Sequence, residues 1–282
     1  MSGEWLSFPA PAKLNLFLHV VGRRADGYHL LETIFHFIDR ADTVHLRLRQ
    51  DGAIVRSAGP ANLSPKEDLT VRAARLLQET ANIRRGVEIR LTKRLPLGGG
   101  LGGGSSDAAT VLLALNRLWG LDWPRARLME LGLRLGADVP VFVRGENAFA
   151  QGVGEVITPI ALPPTWYVVL VPPLAVSTAE IFADPELTRN TLPLKITAFS
   201  AGRIARETRN DLQPVVMRRY PVVARHLQWL AAFGEARMTG SGACVFAGFG
   251  SEQEARAVLA RKPADMQGFI AQGLPHHPLR DL

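Results

Sequence analysis

Only one of the 282 residues is cysteine, Cys244, so no disulfide can form within the chain. A single thiol fits a reducing, cytoplasmic setting. No run of about 18 apolar residues occurs, which argues against a membrane-spanning helix and against a membrane partner. The opening residues, MSGEWLSFPAPAKLNLF, lack the basic start, apolar block and small-residue cleavage site of a secretory leader, so none is expected. No Gly-Lys pair exists anywhere, which excludes a Walker A phosphate loop. The seven histidines show no His-x-x-x-His spacing, and zinc is not expected. Internal repeats and low-complexity segments are absent too.

What is present is ordinary in bulk and basic in balance. Hydrophobic residues make up 47% and charged residues 21%, values of a globular protein with a real core. Lys plus Arg total 33 against 26 Asp plus Glu, a formal charge of +7. Such a surplus suits polyanions, whether nucleic acid or phosphorylated small molecules, or is simply a soluble surface. The basic residues are scattered, with short pairs such as Arg23-Arg24, Arg84-Arg85 and Arg218-Arg219. A nucleic-acid protein would cluster them with aromatics along one groove, so no specific nucleic acid partner is expected.

Residues 12–20 alternate, with Leu14, Leu16, Leu18 and Val20 on one face and Lys13, Asn15, Phe17 and His19 on the other, which predicts a strand. Strands are also predicted over Thr43–Arg49, Val87–Leu91, Trp166–Val171 and Ala243–Phe249. Helical periodicity covers Asp68–Thr80, Ser105–Leu118, Pro124–Leu135, Ile204–Glu207, Asp211–Arg218, Val222–Phe233 and Glu252–Ala260. The proline-flanked stretch PIALPPTWYVVLVPPLAVST marks a change of character, and a boundary just before it gives domains 1–157 and 158–282. The closing HHPLRDL reads as loose.

The most informative segment is PLGGGLGGGSSDAATVLLALNRLWG. Six of the seven residues from Gly98 to Gly104 are glycine. Ordering glycine costs roughly 0.5–1 kcal/mol more per residue than ordering alanine in regular structure. Six together make sense when the backbone itself is the binding surface. The loop follows a strand and enters a helix near Ser105 and Ser106, so exposed N–H groups and the positive helix end converge, an arrangement that binds phosphate. Ser106 could place a hydroxyl on a phosphate oxygen or on magnesium. Gly98, Gly100 and Gly103 formally match a dinucleotide fingerprint, but its required following strand and acidic residue are missing.

Lys13 by itself reads as an edge lysine with its stem along the sheet. The turn at Asp26-Gly27 then presents Tyr28 and His29, an aromatic face beside an imidazole, suited to a nucleobase or another planar group, or to half-buried packing. In LGADVPVFVRG, Asp138 stands between a helix and an expected strand, either as a turn or N-cap residue or as a carboxylate that accepts a proton from an attacking hydroxyl. Gly240, Ser241 and Gly242 form a third small-residue cluster, a turn or a second closure over a nucleotide. Cys244 beside it is expected to be buried and inert.

In this order, PAKLNLFL, RRADGYHLLET, PLGGGLGGGSSDAA, GADVPVF, STAEIFADPELTRNT, RNDL and RMTGSGACVF resemble the GHMP kinase superfamily, and the likeness runs almost end to end. The resemblance implies an α/β (α+β) two-domain fold with the active site in the interdomain cleft. It implies an ATP-dependent kinase acting on a hydroxyl of a small molecule, with Mg2+ and with a cytidine-diphosphate-linked methylerythritol as acceptor. Pro96, Leu97, Gly98, Gly99, Gly100, Leu101, Gly102, Gly103, Gly104, Ser105 and Ser106 would wrap the ATP phosphates. Asp138 would be the catalytic base and Lys13 its partner. Asn15, Tyr28, His29, Thr178 and Phe182 would hold the cytidine diphosphate, Tyr28 and Phe182 sandwiching the cytosine and His29 bonding its edge. Magnesium ligands are not identifiable, and a monomer or homodimer is expected.

Overall fold

The computed structural model describes residues 3–60, 64, 67–194 and 207–282. It opens with one long antiparallel hairpin of β1 (Leu6–Arg23) and β2 (His29–Arg49), paired from Leu6 opposite Leu46 to Arg23 opposite His29. Gly27 turns it at φ +91, a conformation glycine adopts without a Cβ clash. The other edge of β2 is shared: β4 (Gly86–Thr92) pairs with Thr43–Arg49 and β5 (Ala148–Gly152) with Leu31–Phe35. With β3 (Ile54–Ala58) beyond β4 and β6 (Val156–Pro159) beyond β5, this makes six strands, of which only β3 and β4 run parallel.

Two helices, α1 (Leu69–Ala81) and α2 (Gly103–Leu118), pack beside this sheet, joined by α3 (Arg125–Leu133) and α4 (Val139–Arg144). Their shared core holds Phe37, Leu46, Ile89, Leu112, Trp119 and Phe142. Asp68 caps α1 by accepting from Thr70 N at 2.8 Å.

The second sheet is antiparallel in the order β10 (Gln267–Gln272), β7 (Trp166–Val171), β9 (Val245–Phe249) and β8 (Arg237–Met238). Helices α5 (Thr178–Ala183), α6 (Gln213–Arg219), α7 (Pro221–Ala231) and α8 (Glu252–Ala260) surround a core that includes Val168, Leu170, Val216, Leu230 and Val245. A third apolar cluster joins the sheets: Leu14 and Ile38 from the first meet Tyr167, Val169 and Phe246 from the second. The two halves therefore share buried surface, and the cleft between them has a fixed floor.

Four expectations are corrected or limited by this architecture. The strand expected after Asp138 is α4, whose residues Val139 to Val143 are all buried. The HHPLRDL tail is anchored: His277 is fully buried, its N–H donates to Gly145 O at 3.0 Å, and the Arg125 guanidinium donates to Leu279 O at 2.8 Å. Lys13 does not run its stem out to solvent, being 2% exposed. The helix expected over 204–207 lies, apart from Glu207, outside the described residues. Among the described residues no helix is long and apolar enough to cross a membrane.

Candidate active site at the interdomain cleft

The free edge of β1 brings the distant motifs together. Lys13 N donates to Leu101 O, Asn15 N to Thr239 Oγ1 and Leu18 N to Arg209 O, each at 3.0 Å. A buried strand edge needs partners for its N–H groups. Here they come in turn from the glycine loop, the TGSG turn and the RNDL segment.

The glycine loop is packed rather than slack. Gly98, Gly100 and Gly102 adopt φ of +65, +75 and +72. A Cβ on Gly100 would stand 2.1 Å from Thr239 O, and one on Gly98 would stand 2.8 Å from the Ala175 Cβ. The loop carbonyls are held from the second half, with Cys244 N donating to Gly99 O at 3.1 Å and Thr239 Oγ1 to Gly100 O at 3.2 Å. Cys244 is buried, and burial pushes its thiol up to about 12, which makes it a packing residue rather than a nucleophile.

The loop delivers the N-terminus of α2, whose cap is Gly102 and carries no capping side chain. First-turn N–H groups are thus left for a ligand. Ser106 Oγ, at the same place, is buried and has no hydrogen-bond partner among the described residues. The loop lines the cleft through Gly98, Gly100 and Gly102, while Leu101 is buried in the inter-sheet cluster. Below it lies a buried ionic cluster. Lys93 Nζ contacts Asp42 and stands 2.8 Å from Asp107 Oδ2, and Asp42 Oδ1 accepts from Leu95 N at 2.9 Å. Burial pushes the Asp107 carboxyl up, opposed by the Lys93 charge.

Lys13 points into the cleft. Its Nζ contacts Asn15 Oδ1, donates to Gly100 O at 3.0 Å and lies 3.2 Å from Asp138 Oδ2. Asn15 is fixed by its own donation to Thr33 Oγ1 at 2.9 Å. Asp138 holds the N-cap position of α4, yet its side chain caps no helix N–H and remains 34% exposed. The carboxylate is therefore available to a ligand. The cleft encloses about 250 Å³, with Lys13, Asp138, Gly98, Gly102, Thr178 and Phe182 on its wall.

At the far wall, Thr178 Oγ1 and Ser241 Oγ are 2.7 Å apart. Phe182 stacks on His29 with ring centres 4.9 Å apart and planes at 29°. Tyr28 is 66% exposed and makes no ring contact among the described residues. Phe182 thus meets the His29 ring, while Tyr28 stands exposed at the hairpin tip. Burial, Arg189 and Arg23 together hold the His29 imidazole below its ordinary pKa.

Several residues that shape the site escaped the sequence reading. Asn210 Nδ2 donates to Met238 O and Gly240 O, both at 2.8 Å, and Asp211 Oδ2 accepts from Val20 N at 2.8 Å. Thr33, Thr239 and Arg189 belong with them. All five lie within the motifs that carry the family resemblance, but those strings assign them no individual role. Among the described residues, no group of three or more His, Cys, Asp or Glu is placed to hold a metal ion.

Residues 68–146 match the profile of the GHMP kinases N terminal domain, and residues 196–265 match that of the GHMP kinases C terminal domain. The chain belongs to the GHMP kinases. It is 68% identical over 275 residues to the 4-diphosphocytidyl-2-C-methyl-D-erythritol kinase of Thiobacillus denitrificans, covering 98% of each chain. It is 59% identical over 279 residues to the enzyme of the same name from Nitrosospira multiformis, covering 98% of this chain and 94% of the other. A crystal structure of 4-(cytidine 5'-diphospho)-2C-methyl-D-erythritol kinase superposes with a TM-score of 0.81 at 36% identity, over 95% of this chain and 100% of that one. The α/β two-domain fold implied by the motifs is the fold of this GHMP kinase.

Proposed function

We propose that this kinase transfers a phosphoryl group from ATP to the 2-hydroxyl of 4-diphosphocytidyl-2-C-methyl-D-erythritol, giving the 2-phosphate and ADP. The reaction serves isoprenoid precursor synthesis by the methylerythritol phosphate route. The observation that carries the reading is the position of Lys13 Nζ, 3.2 Å from the Asp138 carboxylate and 3.0 Å from the carbonyl of Gly100. One ammonium thus ties a phosphate cradle to a carboxylate that faces the acceptor side of the same cleft.

Phosphoryl transfer is mostly positioning and charge neutralisation. Residues 96–106 hold the triphosphate with loop and helix N–H groups. Asp138 Oδ takes the proton of the acceptor hydroxyl as its oxygen bonds to phosphorus and the bond to the leaving ADP oxygen breaks. Lys13 keeps Asp138 ionised and offsets negative charge that builds on the transferred group. Bound Mg2+ supplies further neutralisation of the phosphates, and the buried Ser106 hydroxyl fits a phosphate oxygen or that ion. Asn15, Tyr28, His29, Thr178 and Phe182 hold the cytidine diphosphate, with Tyr28 closing from its exposed position onto the base.

Residues 1–157 form the ATP-binding domain in this reading and 158–282 the C-terminal domain, although residues 273–282 return to the first sheet, Leu274 N donating to Phe37 O at 2.8 Å. The enzyme is placed in the cytoplasm as a monomer or homodimer without a nucleic acid partner. A coupled ADP-release assay with ATP and Mg2+ tests the reading. Turnover with the cytidyl substrate and none with mevalonate is expected, and turnover with mevalonate alone overturns it.

A further inference from the structure

Arg189, in the segment after α5, aims its guanidinium at the His29 ring. Its Nε donates to His29 Nε2 at 3.1 Å. The rest of the fork is fixed by carbonyls: Leu187 O accepts from Nη1 at 3.1 Å, and Phe182 O and Asp184 O accept from Nη2 at 2.9 and 2.7 Å. Guanidinium has five N–H donors, no acceptor, and keeps its charge. His29 Nε2 is therefore the acceptor and carries no proton. A neutral imidazole that accepts at Nε2 donates at Nδ1. Phe182 takes part twice, since its carbonyl holds Arg189 and its ring stacks on His29 at 4.9 Å. Stack and hydrogen bond thus fix one ring orientation together.

We propose that Arg189 is a specificity-determining positioning residue: it locks His29 as the neutral Nδ1–H tautomer, which presents a donor to the substrate's base and selects cytosine over uracil. The inference rests on the cytidyl reading above. Cytosine N3 is an acceptor beside an amino group, whereas uracil N3 carries hydrogen beside a carbonyl. A fixed donor pairs with cytosine N3 but meets uracil N3–H donor to donor, leaving a desolvated polar group unpaired. An unlocked histidine can shift its proton to Nε2 and accept instead, so the choice relaxes. The charged groups that act on the ring are Arg189 and, across the hairpin on β1, Arg23. Both are positive and, after burial, oppose protonation, which favours the neutral ring that the hydrogen bond from Arg189 requires.

The test combines nitrogen-15 NMR of the histidine rings in the ligand-free protein with kcat/KM for the cytidyl substrate and its uridyl counterpart. In the wild type, His29 is expected to show a protonated Nδ1 and a bare Nε2, with cytidyl preferred by on the order of 100-fold or more. In Arg189→Met, the His29 signals should move to mixed tautomers with a higher pKa, and the preference should fall about tenfold with little change in KM for ATP. A protonated Nε2 in the wild type overturns the lock without recourse to any variant. An Arg189→Met protein with unchanged tautomer or unchanged preference overturns it as well. A wild type that turns over neither compound sinks the selectivity along with the cytidyl reading, and a spectrum still showing the lock tells that failure apart.

Discussion

Lys13 Nζ lies 3.2 Å from Asp138 Oδ2 although the two residues come from opposite ends of the first domain's sequence, one on β1 and one ahead of α4. The ammonium is buried while the carboxylate is 34% exposed, so the pair is anchored on the protein side and open on the cleft side. Replacing Asp138 with Asn keeps the shape and removes the base. Turnover should drop by about 100- to 10,000-fold with the melting temperature nearly unchanged. Steady-state kinetics together with a thermal melt check this, and near-normal turnover takes Asp138 out of the mechanism.

Gly100→Ala should disable the loop for two reasons. The residue sits at φ +75, and a Cβ there would meet Thr239 O at 2.1 Å. Backbone strain of this kind costs about 1–3 kcal/mol, and the collision displaces the TGSG turn as well. The expected result is a lower melting temperature with a raised KM for ATP. A variant with wild-type values for both would show the loop to be slack.

Tyr28→Ala and Phe182→Ala should separate by stability. Tyr28 is exposed, so its removal should leave the melting temperature alone, whereas Phe182 packs on His29 and beside the second core. Both should raise KM for the cytidyl substrate more than KM for ATP. Equal rises for the two substrates would count against stacking on the base.

Two buried histidines make the fold sensitive to acid. Burial lowers His36 to about 4, and burial reinforced by Arg125 lowers His277 to about 3, against 6.5 for a free imidazole. Below pH 6.5 the unfolded chain binds protons that the folded chain refuses. Stability is therefore full above that pH and lost as pH falls toward these lowered values, at roughly 1.4 kcal/mol per pH unit for each histidine. His277 Nδ1 also accepts from Leu279 N at 3.0 Å, a bond that protonation would break. Urea unfolding at pH 7 and pH 5 should show the loss, and His277→Gln should weaken the dependence. An identical pH profile in that variant would contradict the assignment.

Legibility in the sequence followed exposure. The second half of β2 alternates buried and half-buried residues, and Thr43–Arg49 was readable as a strand. Its first half was not, because Glu32 to Ile38 are buried on both faces and the run LLETIFHFI carries no period of two. The run VPVFV looked like a strand for a related reason: it is short and rich in β-branched residues, yet Pro140 opens a helix there and burial on all sides erases the helical stripe. The glycine loop and Asp138 were visible because their chemistry is local. Arg189 was not, since its partner His29 lies 160 residues away and only the fold brings them together. The anchoring of the tail by Arg125 escaped for the same reason.

The most direct measurement is nucleotide binding and turnover on one protein, Asp138→Asn, by calorimetry with ADP and by ADP release with the cytidyl substrate. Nucleotide affinity equal to the wild type, with turnover reduced by about 100-fold or more, is the expected result. Full turnover, or a protein in which neither form takes up nucleotide, would contradict a site built from the glycine loop and this carboxylate.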